Sequence, residues 1–196
     1  MKEILLEKGR YYHIYNKALF GENLFRENDN YRHFLRLYEK YIEPIADTYA
    51  WVLMKNHFHL LVKINNVDFP KPVYQYFSNL FNAYTKAYNN RYNRNGPLFV
   101  RPFKRHEVNS LNYLKNLIYY IHYNPVHHGF TTELFDYPWS SYLSLVSFKE
   151  TKLKRGEIMG WFNNKNEFVE YHQNATNIHQ IEEIAGGEFR GDVWKI

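Results

Sequence analysis

The chain has 196 residues, and its 25 lysines and arginines against 20 aspartates and glutamates give a net charge of +5. It has no cysteine, which excludes disulfide bonds, thiolate metal sites and a cysteine nucleophile, and which fits a reducing cytoplasm. No apolar run approaches the ~18 to 20 residues of a membrane span, so we expect one cytoplasmic domain of ordinary size without membrane contact.

The first two elements are predicted to be a strand and a helix. Residues 9–18 are rich in aromatic and β-branched side chains, which is typical of a strand. Apolar residues then recur at helical spacing over residues 31–42. Asn28 or Asp29 can cap the start of this helix, and Pro44 closes it.

A hairpin and a second helix come next. Residues 47–54 and 57–64 predict two strands joined by a tight turn at Lys55 and Asn56. Residues 73–91 place phenylalanine, leucine and tyrosine side chains on one face at helical spacing. The pattern therefore predicts a long amphipathic helix after the hairpin.

Two prolines bound the elements that follow. Residues 98–108 predict an extended segment, which Pro102 confines to a sheet edge or a bulge because proline has no N–H for the ladder. A third helix is predicted to begin at Asn109 or Ser110. It is expected to end just before Pro125, since proline disfavours helical geometry in the residue that precedes it.

The order βαββαβ, followed by a helix, predicts a ferredoxin-like (RRM-like) α+β fold, in which an antiparallel sheet carries helices on one face. We expect the other face to be open and to hold the functional site. The predicted domain covers residues 1–142. A small, mostly helical extension covers residues 143–196, with helical patterns at 156–162 and 166–173.

Two histidines alternate on the second strand of the hairpin. Side chains of a strand alternate between faces, so His57 and His59 share one face while Phe58 and Leu60 point the other way. The two Cα atoms are then about 6.5 to 7 Å apart, which lets both imidazoles reach one divalent cation. The pair equally fits polar side chains on a solvated face, and it specifies neither the metal nor a third ligand.

The third helix carries a polar band opposite its apolar stripe. In this band Tyr120 and Asn124 are four residues apart and lie one above the other. An amide oxygen can ligate a metal, and a phenol beside it can act as a nucleophile. The alternative is that Tyr120 is simply one of 19 tyrosines and Asn124 the residue that ends a helix before proline.

Four motifs occur in sequence between residues 11 and 142: MKNHFHLLV, YNRNGPLFVRPFK, YIHYNPVHHGF and YPWSSY. In their order and spacing they resemble the REP-associated tyrosine transposases, a branch of the single-tyrosine HUH transposases. The chain departs from the family pattern at two places. Lys55 stands where the family usually has proline, and NPVHHG replaces NPVRAG, which removes an arginine and places His127 and His128 there.

The resemblance implies that His57 and His59 bind a divalent metal, Mg²⁺ or Mn²⁺, with Asn124 as the third ligand. It implies that Tyr120 attacks a DNA phosphate and forms a 5′-phosphotyrosine, so that the reaction is transesterification rather than hydrolysis. The expected partner is single-stranded DNA, often folded into an imperfect hairpin, in a bacterial nucleoid. The protein is expected to act as a monomer or as a homodimer.

A stretch rich in cations and rings lies between the second helix and the last strand. In proteins that bind single strands, basic side chains contact phosphates and aromatic rings stack on bases. A solvated strand edge with core aromatics would give the same pattern. The candidate DNA-binding residues are Arg91, Arg94, Phe99, Arg101, Phe103, Lys104, Arg105 and His127.

Three functions remain open at this point: an HUH-type DNA strand transferase, a domesticated hairpin- or single-strand-binding protein without transposition activity, and a small metal hydrolase acting on another substrate. The joint presence of the histidine pair, Tyr120 and Asn124 favours the first, because a pure binder has no need of all four. His122 lies about 200° round the helix from Tyr120 and is expected to be a partly buried histidine bonded to backbone.

Overall fold

The computed structural model describes residues 5–173 and contains one antiparallel sheet with the strand order β2-β3-β1-β4. One helix follows the first strand and another follows the third, as in split βαβ folds. The predicted ferredoxin-like α+β class is therefore confirmed. The strands are β1 (Tyr11–Lys17), β2 (Ala46–Leu53), β3 (His57–Ile64) and β4 (Lys104–Val108).

Among the described residues, six α-helices accompany this sheet, and none is both long and apolar enough to cross a membrane. The second helix has the bounds that its periodicity predicted, the other predicted helices differ from theirs by a few residues, and the short helix at residues 142–146 was not predicted. The helices are α1 (Asn28–Tyr41), α2 (Val73–Arg91), α3 (Leu111–His127), α4 (Tyr142–Val146), α5 (Arg155–Trp161) and α6 (Lys165–Gln173).

The start of α1 is capped one residue earlier than predicted. Glu27, rather than Asn28 or Asp29, is the N-cap, and its side chain accepts a hydrogen bond from the third helical N–H. Asn30 Oδ1 in turn accepts from the backbone N–H of Glu27 at 3.3 Å. This reciprocal pair is a capping box. A glutamate as its N-cap is not the residue that cap preferences indicate.

Both faces of the sheet are covered, which corrects the expectation of an open second face. Phe58 and Leu60 of β3 pack with α1 and α2, as the alternation of the strand predicts. On the opposite face, Leu61 of β3 packs with Leu117 and Ile121 of α3. The third helix, rather than solvent, therefore lies over the face that carries His57 and His59.

The third helix does not stop at Pro125, contrary to the prediction. Proline removes one N–H from the ladder, but Pro125 lies in the last turn, where only one helical bond is lost. Helical bonding continues beyond it, since His128 N donates to Asn124 O at 3.0 Å. Gly129, with φ +69, then ends the helix in the left-handed conformation that glycine tolerates best.

The predicted extension packs on the same body as far as the structure describes it. Ile158 of α5 and Phe168 of α6 are fully buried in the cluster that also contains the apolar side of α3. The Tyr49 hydroxyl donates to Glu157 Oε2 at 2.7 Å, which ties β2 to α5. The rest of the predicted extension, residues 174–196, lies outside the described residues.

Candidate active site

The histidine pair lies at the centre of the sheet, beneath α3. His57 and His59 are each only 1% exposed, because they occupy the face of β3 that the helix covers. Their ring centroids are 5.3 Å apart and the rings are perpendicular. The alternation predicted from sequence therefore brings both imidazoles to one buried place.

The third helix brings Tyr120 and Asn124 of the same chain to this pair. Asn124 Oδ1 lies 3.5 Å from His57 Nε2. The ring of Tyr120 meets the ring of His59 edge-on, with centroids 5.5 Å apart. The amide of Asn124 also donates from Nδ2 to the carbonyl oxygen of Tyr120 at 3.2 Å, which fixes its oxygen toward His57. The four residues singled out from sequence thus share one site.

The hydrogen bonds of His57 leave a lone pair on Nε2. Burial, followed by the charge of the neighbouring His128, lowers the pKa of His57 to about 3, so the ring is neutral and carries one proton. Nδ1 lies 2.8 Å from Asn56 Oδ1, an oxygen that only accepts. Because this contact is shorter than the one between Nε2 and Asn124 Oδ1, the proton is on Nδ1. Nε2 and Asn124 Oδ1 therefore face each other as two acceptors, an arrangement that suits a cation.

His59 brings a second imidazole to the site, and its Nε2 is an acceptor when Nδ1 carries the proton. Its Nδ1 lies 2.9 Å from Nε2 of His13, a fully buried histidine on β1. Burial, followed by the charges of His13 and His57, holds the pKa of His59 well below its usual value, so this ring is neutral too. Within the described part of the chain, His59 Nε2 is buried and has no hydrogen-bond partner.

The Nε2 atoms of His57 and His59 and the Oδ1 atom of Asn124 are suitable ligands for a divalent metal. No three His, Cys, Asp or Glu side chains within residues 5–173 are grouped so that they could hold an ion. A metal would therefore need the two Nε2 atoms of His57 and His59 together with Asn124 Oδ1. Two imidazoles and one amide oxygen suit Mn²⁺ better than Mg²⁺, because imidazole is the softer ligand.

Sequence reasoning missed His13. Its ring stacks on His59 and on Tyr15, and it lies edge-on to Tyr120 at 6.4 Å. The strand register explains the contact, since Tyr15 lies opposite His59 and places its neighbour on the same face, His13, one step further along. The alternation of β1 predicts that His13 and Tyr15 share a face of the sheet. Only the pairing of β1 with β3 places that face beside His59.

The aromatic part of the predicted DNA-binding stretch is wrong. Phe99 and Phe103 are 3% and 8% exposed and belong to the core between the sheet and α2, so neither ring offers a free face to a base. Arg105 is buried as well and covers the Phe103 ring at 4.9 Å. Of the predicted extended segment 98–108, only Lys104–Val108 forms a strand, and the two rings before it complete the core.

The basic residues of that stretch fall into separate places. Arg91 and Arg94 pair with carboxylates of the loop before α1, at 2.6 Å each. Arg101 is exposed and donates to Asn82 of α2 at 3.0 Å. Lys104 is exposed and lies opposite Tyr15, on the sheet face of the histidines.

The histidines of the NPVHHG motif lie at the end of α3, beside the site. The ring of His128 approaches that of His57, with centroids 5.1 Å apart. Burial and the charge of His127 lower the pKa of His128 to about 4. His127, a predicted DNA contact, is exposed, and its ring centroid lies 5.1 Å from that of His128.

His122 is fully rather than partly buried, and its hydrogen-bond partners are side chains rather than the expected backbone. Its Nδ1 lies 2.9 Å from His172 Nε2 of α6, and its Nε2 lies 2.8 Å from Ser141 Oγ. His172 Nδ1 then donates to the carbonyl of Phe168 at 2.8 Å. This chain of bonds joins α3 to α6 and takes no part in the site.

The comparisons with known proteins bear on the fold. No protein-family model matches the chain, and no curated protein matches it. A solved structure of a REP-associated tyrosine transposase bound to a REP hairpin is similar, with a TM-score of 0.59 and 17% sequence identity. The match covers 74% of this chain and 84% of that one, and it shows that the two share a fold.

Proposed function

We propose that this protein is a REP-associated tyrosine transposase of the HUH class, which cleaves and rejoins single-stranded DNA through Tyr120. The observation that carries the proposal is the juxtaposition of three acceptors with a phenol. His57 Nε2 and Asn124 Oδ1 face each other at 3.5 Å, His59 Nε2 lacks a hydrogen-bond partner in the described structure, and the Tyr120 ring lies against His59.

The metal would be held by His57, His59 and Asn124. A divalent cation there would offset the negative charge of the phosphate oxygens and align the phosphorus for in-line attack. The protein's own part is to keep the two Nε2 atoms unprotonated. Asn56 Oδ1 does this for His57, because it can only accept from Nδ1, and His13 Nε2 does it for His59 when it accepts from His59 Nδ1.

Tyr120 would act as the nucleophile. Its phenolic oxygen would form a bond to phosphorus as the bond from phosphorus to the 3′ oxygen breaks. The phenol gives up its proton in this step, and the leaving 3′ oxygen takes one up. The covalent link is itself a phosphodiester, formed as the DNA bond breaks, so a 3′-hydroxyl can later displace the tyrosine oxygen from phosphorus and join strands.

The DNA hairpin enters the proposal through the similar structure. That transposase is bound to a REP hairpin, and the shared fold covers most of both chains. A hairpin with single-stranded flanks is therefore the substrate to test first. Because all four site residues come from one chain, we expect a single chain to suffice for cleavage.

An adduct assay tests the proposal. The protein is incubated with labelled hairpin DNA and Mn²⁺, and a protein–DNA species that survives SDS is sought. Wild type should give it, and Tyr120→Phe should abolish it while still binding DNA. Tyr123→Phe is the matched control, because Tyr123 lies on the same helix but stacks on Tyr119, and it should keep the adduct.

The same assay also distinguishes the strand transferase from the two alternative functions, a DNA-binding protein without transposition activity and a metal hydrolase. DNA binding by wild type without cleavage or adduct would indicate the domesticated binding protein. Cleavage without an adduct, insensitive to Tyr120→Phe, would indicate a metal hydrolase. Either result would contradict the role assigned to Tyr120.

A further inference from the structure

A turn after β1 presents one bare aromatic ring to solvent. Phe20, in the middle of the short 3-10 turn Leu19–Gly21, is 88% exposed. Its backbone has φ 56 and ψ 28, a left-handed conformation that is costly for residues other than glycine and asparagine. Burial of the ring does not offset this cost, so the free protein gains nothing evident from a phenylalanine here.

The turn is firmly held. Ala18 N donates to Asn56 O and Leu19 N donates to Leu98 O, both at 2.9 Å. Glu22, just after the turn, forms a bidentate ion pair with Arg94, in which Nη2 donates to Oε1 at 2.6 Å and Nε donates to Oε2 at 2.9 Å. The exposed ring therefore lies on a turn whose backbone is hydrogen-bonded to two other segments, at Asn56 and Leu98.

The turn lies beside the candidate active site. Lys17, the last residue of β1, is the cross-strand partner of His57. Ala18 is bonded to Asn56, the residue that supports His57 Nδ1. Two residues span at most about 7 Å, so the Cα of Phe20 is within that distance of the Cα of Ala18. A DNA strand whose phosphate occupies the site would pass within reach of the ring.

We propose that Phe20 is a stacking platform for an unpaired base of the DNA strand beside the cleavage point. The inference rests on the proposed function and adds a base contact to it. A strained, exposed and braced ring is preorganised for a flat partner, and every base offers a π-face. Strain at a binding residue is a known use of sparsely populated backbone conformations.

The surroundings favour a base over a protein partner. Among residues 17–27 of the described chain, Phe20 is the only large apolar side chain that is exposed, whereas a protein interface needs a contiguous area. Lys17 and Arg26 flank the turn with positive charge suited to phosphates, although Arg26 also lies 3.9 Å from Glu22 and over the Tyr92 ring. Arg94 neutralises Glu22, the carboxylate nearest in sequence.

Three variants and one control test the assignment. Phe20→Ala removes the ring, Phe20→Trp keeps an aromatic face, and Phe20→Asn removes the ring while placing a residue that tolerates the left-handed conformation. Phe148→Ala is the control, because Phe148 is also bare, at 94% exposed, but lies against Lys165 of α6. The probe is a fluorescein-labelled DNA hairpin with single-stranded flanks, titrated at fixed salt and followed by anisotropy.

We expect Phe20→Ala and Phe20→Asn to weaken DNA binding by roughly tenfold to a hundredfold, the loss for one stacked base. Phe20→Trp and Phe148→Ala should bind within about twofold of wild type. The salt dependence should not change, because no phosphate contact is removed. Phe20→Asn should also raise the thermal midpoint, since it relieves strain, whereas a purely structural phenylalanine would lower it when lost.

The assignment is overturned if Phe20→Ala binds as wild type does, if Phe20→Trp is as weak as Phe20→Ala, or if Phe148→Ala loses as much affinity. These outcomes leave the proposed function standing, provided that wild type still forms its covalent adduct. Absence of both binding and adduct with wild type would instead refute the proposed function, and the base contact with it.

Discussion

Replacing His13 with alanine should weaken metal binding at the candidate active site without touching a proposed ligand. His13 is fully buried, and its Nε2 accepts from His59 Nδ1 at 2.9 Å in the tautomer that leaves His59 Nε2 unprotonated. Without His13 the proton has no reason to stay on Nδ1. If it moves to Nε2, it occupies the position that a metal would need.

The size of the effect follows from these contacts. Leaving the His59 Nδ1–H buried without an acceptor costs about 1 to 3 kcal/mol, and moving the proton avoids this cost by removing the ligand. Loss of a partner that orients a metal-binding histidine typically lowers affinity by roughly tenfold to a hundredfold. Alanine also leaves a cavity, which should reduce the free energy of unfolding by about 2 to 5 kcal/mol.

Titration with Mn²⁺, followed by the electron paramagnetic resonance of the free ion, measures this affinity directly. His13→Gln is the control, because its amide oxygen can accept from His59 Nδ1, and it should bind Mn²⁺ within a few-fold of wild type. Circular dichroism checks that both variants are folded. A folded His13→Ala protein with wild-type affinity for Mn²⁺ would refute the reasoning.

Three further predictions concern assembly, pH and stability. Because the site is complete in one chain, mixing Tyr120→Phe with His57→Ala protein should give no covalent DNA adduct, and recovery of the adduct would show a site shared between subunits. Burial lowers the pKa of His172 to about 4, so below pH 6.5 the unfolded chain binds a proton that the folded chain does not. Stability should therefore fall as pH falls from 6.5 to 4, and His172→Gln should reduce the slope by at most about 1.4 kcal/mol per pH unit in denaturant titrations; an unchanged slope would contradict this. Arg94→Ala should lower the thermal midpoint more than Arg101→Ala, because Arg94 bonds Glu22 and three backbone carbonyls of its own loop; equal midpoints in a calorimetric scan would refute it.

The histidine pair and its helix were readable from sequence because both signals are local. Alternation along a strand fixes the common face of His57 and His59, and a spacing of four fixes the common face of Tyr120 and Asn124. That the two faces meet was an implication of the family resemblance alone. Local periodicity gives no information on which face of a sheet a later helix will cover.

The features that the sequence reasoning missed depend on contacts between distant segments. His13 reaches His59 only because β1 pairs with β3. Phe99 and Phe103 look like candidates for base stacking until α2 packs on them. Proline acts locally on the residue before it, which predicts a helix end at Pro125, whereas hydrogen bonds across the last turn extend the helix to His127.

Peptide mapping of the covalent protein–DNA species is the most direct test of Tyr120 as the nucleophile. After incubation with hairpin DNA and Mn²⁺, nuclease and trypsin digestion should leave one nucleotide-bearing peptide, which mass spectrometry can sequence. We expect a nucleotide that is joined through its 5′ phosphate to Tyr120. A nucleotide on any other residue, or DNA cleavage that leaves no peptide modified, would contradict it.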